Sequence, residues 1–392
     1  MRRVDHLLIG GGIAAASCAQ ELRAQGSQGS ILLATREMDP PYHRPPCTKD
    51  YLRGETDREG TLITPAGWWE DNDVELLTRT SINALDLDKR VATLANKEEI
   101  EFGTALVATG ALVRRLNVEG TDLERIHYIR APGNSDSIRR DLREGMQVLL
   151  VGGSYIGCEV ASSLTMLGHK CTVLMLERQP MERGFGAIAG GFVRELLESH
   201  GIEFVGEDEL ERLEGEDGAV RAAITKGGRT LPADIAVLGV GAMPDVMLAR
   251  RAGLEIGETG GIICDRRLET PVSGVFAAGD CAEFDSVLHG RRTRIEHEEV
   301  ARTQGEHVAR AMLGATEPYA EPPYFWCDLA DWATLEYVGL GGPVDEERVE
   351  GDPSSGSFAV RFLSGGTLNG VVAVDRGDAL DDARAELVGR IA

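Results

Sequence analysis

The sequence predicts an α/β protein: two doubly wound parallel-sheet units and a small C-terminal α+β domain. Three observations predict it. A strand, a Gly turn and a helix open the chain between Val4 and Ala24. The same pattern returns between Gln147 and Gly168. After Tyr319 the pattern changes to short strands followed by one helix.

In the first unit, Val4–Ile9 is a short apolar run without helical period, so it reads as a buried strand. A small-residue helix runs from Ile13 to about Ala24, and Ser30–Ala34 is the next strand. The junction Gly10-x-Gly12-x-x-Ala15 is a dinucleotide-binding fingerprint. The first Gly makes the tight turn, the second admits a pyrophosphate close to the backbone, and the small third residue lets helix and strand pack closely. The helix N-terminus then favours phosphate charge. The stretch from Pro40 to Pro46 reads as a shaped loop, because so many prolines exclude a helix or an inner strand.

In the second unit the strand is Gln147–Val151, the turn is Gly152-Gly153-Ser154-Tyr155-Ile156-Gly157, and the next strand is Thr172–Leu176. The fingerprint departs from pattern at Ser154, which stands where the second Gly belongs. Its Cβ is expected to crowd the pyrophosphate. Glu177, after the second strand, suits a ribose 2′-hydroxyl and repels a 2′-phosphate, which favours NADH over NADPH. The adjacent Arg178 is the competing signal. A third strand, Gly274–Ala278, runs into Gly279-Asp280. Short strands around Trp326, Val338, Phe358–Phe362 and Gly370–Val374 precede a final helix from about Leu380.

Composition narrows the function. The 392 residues suffice for two or three domains. With 64 acidic and 41 basic residues the net charge is −23, which disfavours nucleic acid and anionic membrane as partners. No apolar run approaches the ~18 residues that span a bilayer. Seven scattered cysteines (Cys18, Cys47, Cys158, Cys171, Cys264, Cys281 and Cys327) form no Cys-x-x-Cys pair, against a disulfide framework or a zinc site. Met1-Arg2-Arg3 and the small residues up to Cys18 superficially resemble an export signal, but Asp5, His6 and three glycines interrupt it. A cytoplasmic protein is expected.

The two fingerprints stand in order with the loop Pro41-Tyr42-His43-Arg44-Pro45-Pro46-Cys47-Thr48-Lys49, with Ala108-Thr109-Gly110, and with Phe276-Ala277-Ala278-Gly279-Asp280. Glu296-His297 and Phe325-Trp326-Cys327-Asp328 follow. Together they resemble the FAD-dependent NAD(P)H:ferredoxin/rubredoxin reductases, a group with putidaredoxin-reductase-like and apoptosis-inducing-factor-like branches. It belongs to the pyridine nucleotide-disulfide oxidoreductase superfamily. The resemblance spans essentially the whole chain. It implies a glutathione-reductase-like fold with two Rossmann-type domains: an FAD domain at 1–112 and 245–318, an NAD domain at 113–244 and a C-terminal domain at 319–392.

The resemblance also implies roles. Gly10, Gly12, Ala15, Arg44, Lys49, Ile82, Thr109, Gly110, Arg130, Asp280, Glu296 and His297 are placed with FAD. The family's ribose-binding acid aligns with Arg36, so the neighbouring Glu37 is the candidate to take its place. Gly152, Ser154, Tyr155, Ile156, Gly157, Glu159, Glu177, Gly241 and Glu336 are placed with NADH. Lys49 and Glu159 match a pair beside the flavin, where an ammonium favours the charge of the reduced ring. Trp326 matches an aromatic residue near flavin and nicotinamide. The helix starting at Glu296-His297 brings its dipole to the flavin.

The implied activity is hydride transfer from NADH to FAD, then electron delivery to a ferredoxin or rubredoxin. Those carriers are usually acidic, so a −23 reductase needs a local basic patch to dock one. A monomer or homodimer fits equally. Three alternatives stay open: an NADH oxidase or quinone reductase without a protein partner, a Cys47-dependent peroxide or disulfide reductase, and a redox-responsive binding protein of the apoptosis-inducing-factor kind. Cys47 stands where the family usually has Leu, and nearby Lys49 could lower its pKa. The glutathione-reductase type of paired redox cysteines is absent.

Overall fold

The computed structural model describes residues 2–390. The first sheet is parallel at its centre. Its order is Val74–Leu77, Ile31–Ala34, Arg2–Ile9 and Glu99–Val107, with Val275–Ala277 also pairing in parallel with Glu99–Val107. Val91–Leu94 and Ile82–Asp86 extend it as antiparallel strands. A sheet covered on both faces needs strands that are apolar throughout, and Ile31–Ala34 is buried at every position. The helix Ile13–Ala24 packs on it through Ala14, Ala15, Ala16, Cys18, Ala19 and Leu22. Small residues allow the close approach of the helix Glu298–Met312, where a Cβ on Gly305 would lie 2.1 Å from the Ala14 carbonyl oxygen.

The second sheet is also parallel, in the order Glu203–Val205, Lys170–Leu174, Gln147–Val151, Ile235–Leu238 and Ile126–His127. The chain passes between the two units twice. Those two crossings, Ala111–Val113 and Ala242–Pro244, pair as an antiparallel ribbon. The last five strands form one antiparallel sheet, ordered Tyr324–Leu329, Ala333–Gly339, Thr367–Val374, Ser357–Ser364 and Glu346–Asp352. The helix Gly377–Val388 covers one of its faces.

Three details differ from expectation. The strand before Glu177 ends at Leu174, in register with Val151, where the Gly152 turn begins. Glu177 therefore sits on the loop beyond that strand. The proline-rich loop contains a 3₁₀ turn at Pro45–Thr48, which prolines tolerate at its first positions because those N–H groups have no helical partner. The strand Glu346–Asp352 escaped detection. It is an edge strand, charged and largely exposed, and so carries no apolar alternation. Among the described residues, no helix is long and apolar enough to cross a membrane.

Candidate functional site

One cavity runs along the first Gly turn. Its lining includes Gly12, Glu37, Arg44, Lys49, Thr109, Gly110, Arg130, Asp280, Glu296, His297 and Trp326, together with Tyr155, Ile156 and Glu159 from the second unit. These residues come from eight separate stretches of sequence. What brings them together is the parallel sheet, whose Gly turn and Thr109-Gly110 leave neighbouring strand ends. At Gly10 the backbone takes φ +136, and a Cβ would lie 2.0 Å from the Ala108 carbonyl oxygen. Gly12 has the opposite surroundings: an added Cβ meets nothing within 4 Å. Gly10 is needed for the turn, and Gly12 leaves room for a ligand beside the helix N-terminus.

The proline loop fixes the polar end of this cavity. The Arg44 guanidinium donates to Glu37 Oε1 at 2.6 Å, to the Tyr42 hydroxyl at 2.9 Å and to the Arg130 carbonyl at 3.0 Å. Tyr42 in turn donates to Glu37. Burial alone would raise the Glu37 carboxyl, but the Arg44 charge and the Tyr42 hydroxyl hold it below the usual range. Glu37 is thus an ionised acceptor on the cavity wall, while Arg36 turns away to pair with Asp245 at 2.8 Å. Arg130 donates to Asp280 Oδ2 at 2.7 Å. The carboxylate keeps acceptor capacity for hydroxyl donors.

Lys49 and Glu159 meet as expected from sequence. The ammonium donates to Glu159 Oε1 at 2.7 Å, and the Thr48 hydroxyl donates to Oε2 at 2.7 Å. Asp328 Oδ2 lies 4.0 Å from the same ammonium. Burial disfavours the charge on Lys49, yet the Glu159 carboxylate outweighs it, and the pKa lies above the ordinary lysine value. Lys49 therefore stays charged at neutral pH.

The Glu298 carboxylate ties the proline loop to the helix Glu298–Met312. It accepts from His43 Nδ1 at 2.7 Å and from the Arg44 backbone N–H at 3.1 Å. That bond raises His43 above its ordinary value of 6.5. Stability from the pair is complete below about pH 6.5 and fades as pH rises through the raised value. The melting difference between wild type and His43→Gln is expected to be largest near about pH 6 and to shrink as pH rises through the raised His43 value. A difference that grows with pH would contradict this assignment.

A second cavity opens on the second Gly turn. Gly152, Ser154, Tyr155, Glu177 and Gly241 line it, with Arg114, Glu182 and Arg183. Glu177 is paired with Arg183. Tyr155 lines both cavities. Its ring packs edge-on against Phe185 and Phe325, and Phe325 stacks on His297 with ring centroids 4.1 Å apart. An aromatic wall thus separates the chambers. Burial pushes His297 down to about 4, so it is neutral.

Several residues sit elsewhere than expected. Ile156 and Glu159, about one turn apart on the helix Tyr155–Met166, line the first cavity and not the second, which for Glu159 is the flavin-side position that the resemblance implied. Gly157 lies beneath the turn, where a Cβ would come 2.0 Å from the Gly152 carbonyl oxygen, and Ala15 is buried behind its own helix. Ile82 lies off both linings, packed in the core. Glu336 is also off both. It faces Trp326 across the strand pair and accepts from the Tyr324 hydroxyl at 2.6 Å. Cys47 lines the first cavity but is almost wholly buried, and burial pushes its thiol up to about 12. A thiol so buried stays protonated at neutral pH, which argues against the Cys47-dependent alternative. Sequence reasoning missed Thr48, Glu298 and Arg183. Thr48 stood in the quoted loop without a role of its own, Glu298 and Arg183 stood in no motif, and each acquires its place only through its partner in the fold.

Comparison with known proteins agrees with this geometry. Residues 4–305 match the pyridine nucleotide-disulphide oxidoreductase family. A rubredoxin-NAD(+) reductase of Pseudomonas putida is 33% identical over 88% of each chain. A ferredoxin–NAD(P)(+) reductase of Sphingomonas sp. is 30% identical over 96% of this chain and 90% of that one. Among solved structures, the covalent putidaredoxin reductase–putidaredoxin complex superposes with a TM-score of 0.94 at 27% identity, covering 100% of this chain and 94% of that one. With two nucleotide-type turns, the buried lysine–glutamate pair between them and these relatives over nearly its full length, the chain belongs to the pyridine nucleotide-disulphide oxidoreductase family, in its rubredoxin- and ferredoxin-reductase branch.

Proposed function

We propose that this protein is an FAD-dependent oxidoreductase that takes electrons from NADH and passes them to a small redox protein such as a ferredoxin or rubredoxin. The observation that carries the reading is the junction of the two cavities. Each begins at a Gly turn before a helix, and Tyr155 borders both. The relatives' names supply the acceptor class.

The residues of the first cavity fit FAD. Gly12 leaves open space beside a helix N-terminus for the diphosphate. Glu37 offers an ionised acceptor for a ribose, and Arg44 holds that acceptor in place. Asp280, oriented by Arg130, suits the hydroxyls of a ribityl chain. When bound, the flavin supplies the conversion between a two-electron hydride donor and one-electron carriers. Lys49 places a fixed positive charge in the cavity and Glu159 orients it, so charge developing beside it needs no reorganisation. The neutral His297 and the Phe325–Tyr155 wall keep water from the junction. Trp326 lines the first cavity and also an outer cleft bordered by Arg53, Arg302 and Asp328. That location suits electron exit to a docked carrier.

Glu177 and Arg183 lie together on the lining of the second cavity, where they would meet the ribose of a bound dinucleotide. Because Glu177 occupies Arg183, a 2′-phosphate meets a carboxylate where it needs a free cation, which favours NADH. The antiparallel ribbon of the two crossings supports domain limits at 112/113 and 244/245. Seven cysteines, all reduced and buried, support a cytoplasmic location. The reading is tested by NADH oxidation under anaerobic conditions with a [2Fe–2S] ferredoxin or a rubredoxin. Turnover that requires the carrier supports it. Equal oxygen-dependent turnover without any carrier would favour an oxidase instead.

A further inference from the structure

The Lys49–Glu159 pair has a third member, Thr48, whose place is set by the fold before any ligand enters. The helix Tyr155–Met166 holds Thr48 at two points one turn apart. Glu159 Oε2 accepts from the Thr48 hydroxyl at 2.7 Å, and the Ser163 hydroxyl donates to the Thr48 backbone carbonyl, also at 2.7 Å. Ser135 fixes the preceding peptide by donating to the Cys47 carbonyl at 2.7 Å. Thr48 is buried and ends the 3₁₀ turn Pro45–Thr48. Its hydroxyl has one hydrogen and two acceptors within reach, Glu159 and, at 3.0 Å, the Pro45 carbonyl. The carboxylate is both closer and charged, so it takes the bond.

The consequence lies in how Glu159 divides its two oxygens. Thr48 takes Oε2, and Oε1 alone receives the ammonium, at 2.7 Å. Among the described residues this is the ammonium's one hydrogen bond, because Asp328 Oδ2, at 4.0 Å, is too far for another. An ammonium has three donors. Lys49 therefore keeps donors free on the lining of the first cavity, although its side chain is nearly enclosed. The wholly buried Cys327 thiol also faces Glu159, but a thiol is a weak donor and does not replace a hydroxyl. Without the Thr48 hydroxyl, Oε2 is a buried acceptor whose strong donor within the cluster is Lys49, and the carboxylate turns both oxygens onto the ammonium.

We propose that Thr48 is a positioning residue: by holding Glu159 Oε2 it restricts the carboxylate to a single contact with Lys49 and leaves the ammonium's other donors to the occupant of the first cavity. The proposal rests on reading that cavity as the FAD site. It adds to the lysine–glutamate pair a neutral group that sets how much of the lysine charge the flavin meets.

The test is the midpoint potential of the flavin in the FAD-loaded protein, measured by equilibrium titration against a reference dye, together with the rate of anaerobic reduction by NADH and the melting temperature. Thr48→Val keeps the shape and loses the hydroxyl. It is expected to disfavour the reduced flavin about ten-fold and to slow its formation about ten-fold, with the NADH concentration at half-maximal rate unchanged. Thr48→Ala, read in parallel in case valine disturbs folding, is expected to do the same. Thr48→Ser is expected to restore most of both quantities. Ser163→Ala loosens the Thr48 backbone and spares its hydroxyl, so it is expected to lower the melting temperature and leave the potential at the wild-type value. A wild-type potential in Thr48→Val and Thr48→Ala would overturn the proposal. So would a Thr48→Ser variant that restores nothing, or a shift in Ser163→Ala as large as in Thr48→Val. If the wild type takes up no FAD, the reading of the cavity fails first and takes the assignment with it.

Discussion

Lys49→Ala is expected to lower NADH-dependent flavin reduction by about 10²- to 10³-fold and to destabilise the fold by about 3–5 kcal/mol. Both effects follow from one contact. The Lys49 ammonium and the Glu159 carboxylate are 2.7 Å apart and both are nearly enclosed, with side-chain exposures of 12% and 7%. Removing one partner leaves the other charge with only the Thr48 hydroxyl. The two effects separate in the double variant Lys49→Met/Glu159→Gln. Loss of both charges removes the uncompensated carboxylate, so much of the stability returns. The rate does not, because the positive charge is still missing from the cavity. A double variant that recovers rate along with stability would show that the pair only holds the domains together.

Gly10→Ala is expected to cost more than about 3 kcal/mol and to yield protein that does not retain FAD. The added methyl would lie 2.0 Å from a backbone oxygen of Ala108, which cannot move without shifting the adjoining strand. The backbone there, at φ +136, is also unfavourable for any side chain. Gly12→Ala provides the contrast. Its Cβ meets nothing within 4 Å and its φ of −95 is ordinary, so the protein is expected to melt as wild type does. It should nevertheless hold FAD more weakly, because the methyl enters the ligand's space. Thermal unfolding and the flavin retained through gel filtration read the two quantities separately. Equal destabilisation by both substitutions would contradict the distinction between turn and ligand positions.

The parts of the fold that were legible from sequence are those with local causes. The two Gly turns were visible because a sharp strand-to-helix turn demands particular residues at fixed spacing, and the strands Arg2–Ile9 and Gln147–Val151 because each runs into its turn through apolar residues, Leu7–Ile9 and Val148–Val151. The edge strand Glu346–Asp352 was not, since its pairing with Ser357–Ser364 rests on backbone bonds and not on buried side chains. The same division runs through the site. Lys49 and Glu159 are 110 positions apart, and only family resemblance joined them. Arg183 was passed over for Arg178, which is nearer Glu177 in sequence. In the structure Arg183 lines the cavity, while the Arg178 carbonyl accepts from Arg194. Ser154 was identified correctly as a departure.

The central claim is that one cavity holds a flavin and the adjoining cavity delivers NADH to it. The most direct test is the visible spectrum of the FAD-loaded protein during anaerobic addition of NADH and then, in a separate sample, NADPH. The account predicts that NADH bleaches the flavin band rapidly and that NADPH does so much more slowly. A protein that binds no FAD on reconstitution, or whose flavin band is unchanged by either nucleotide, would contradict it.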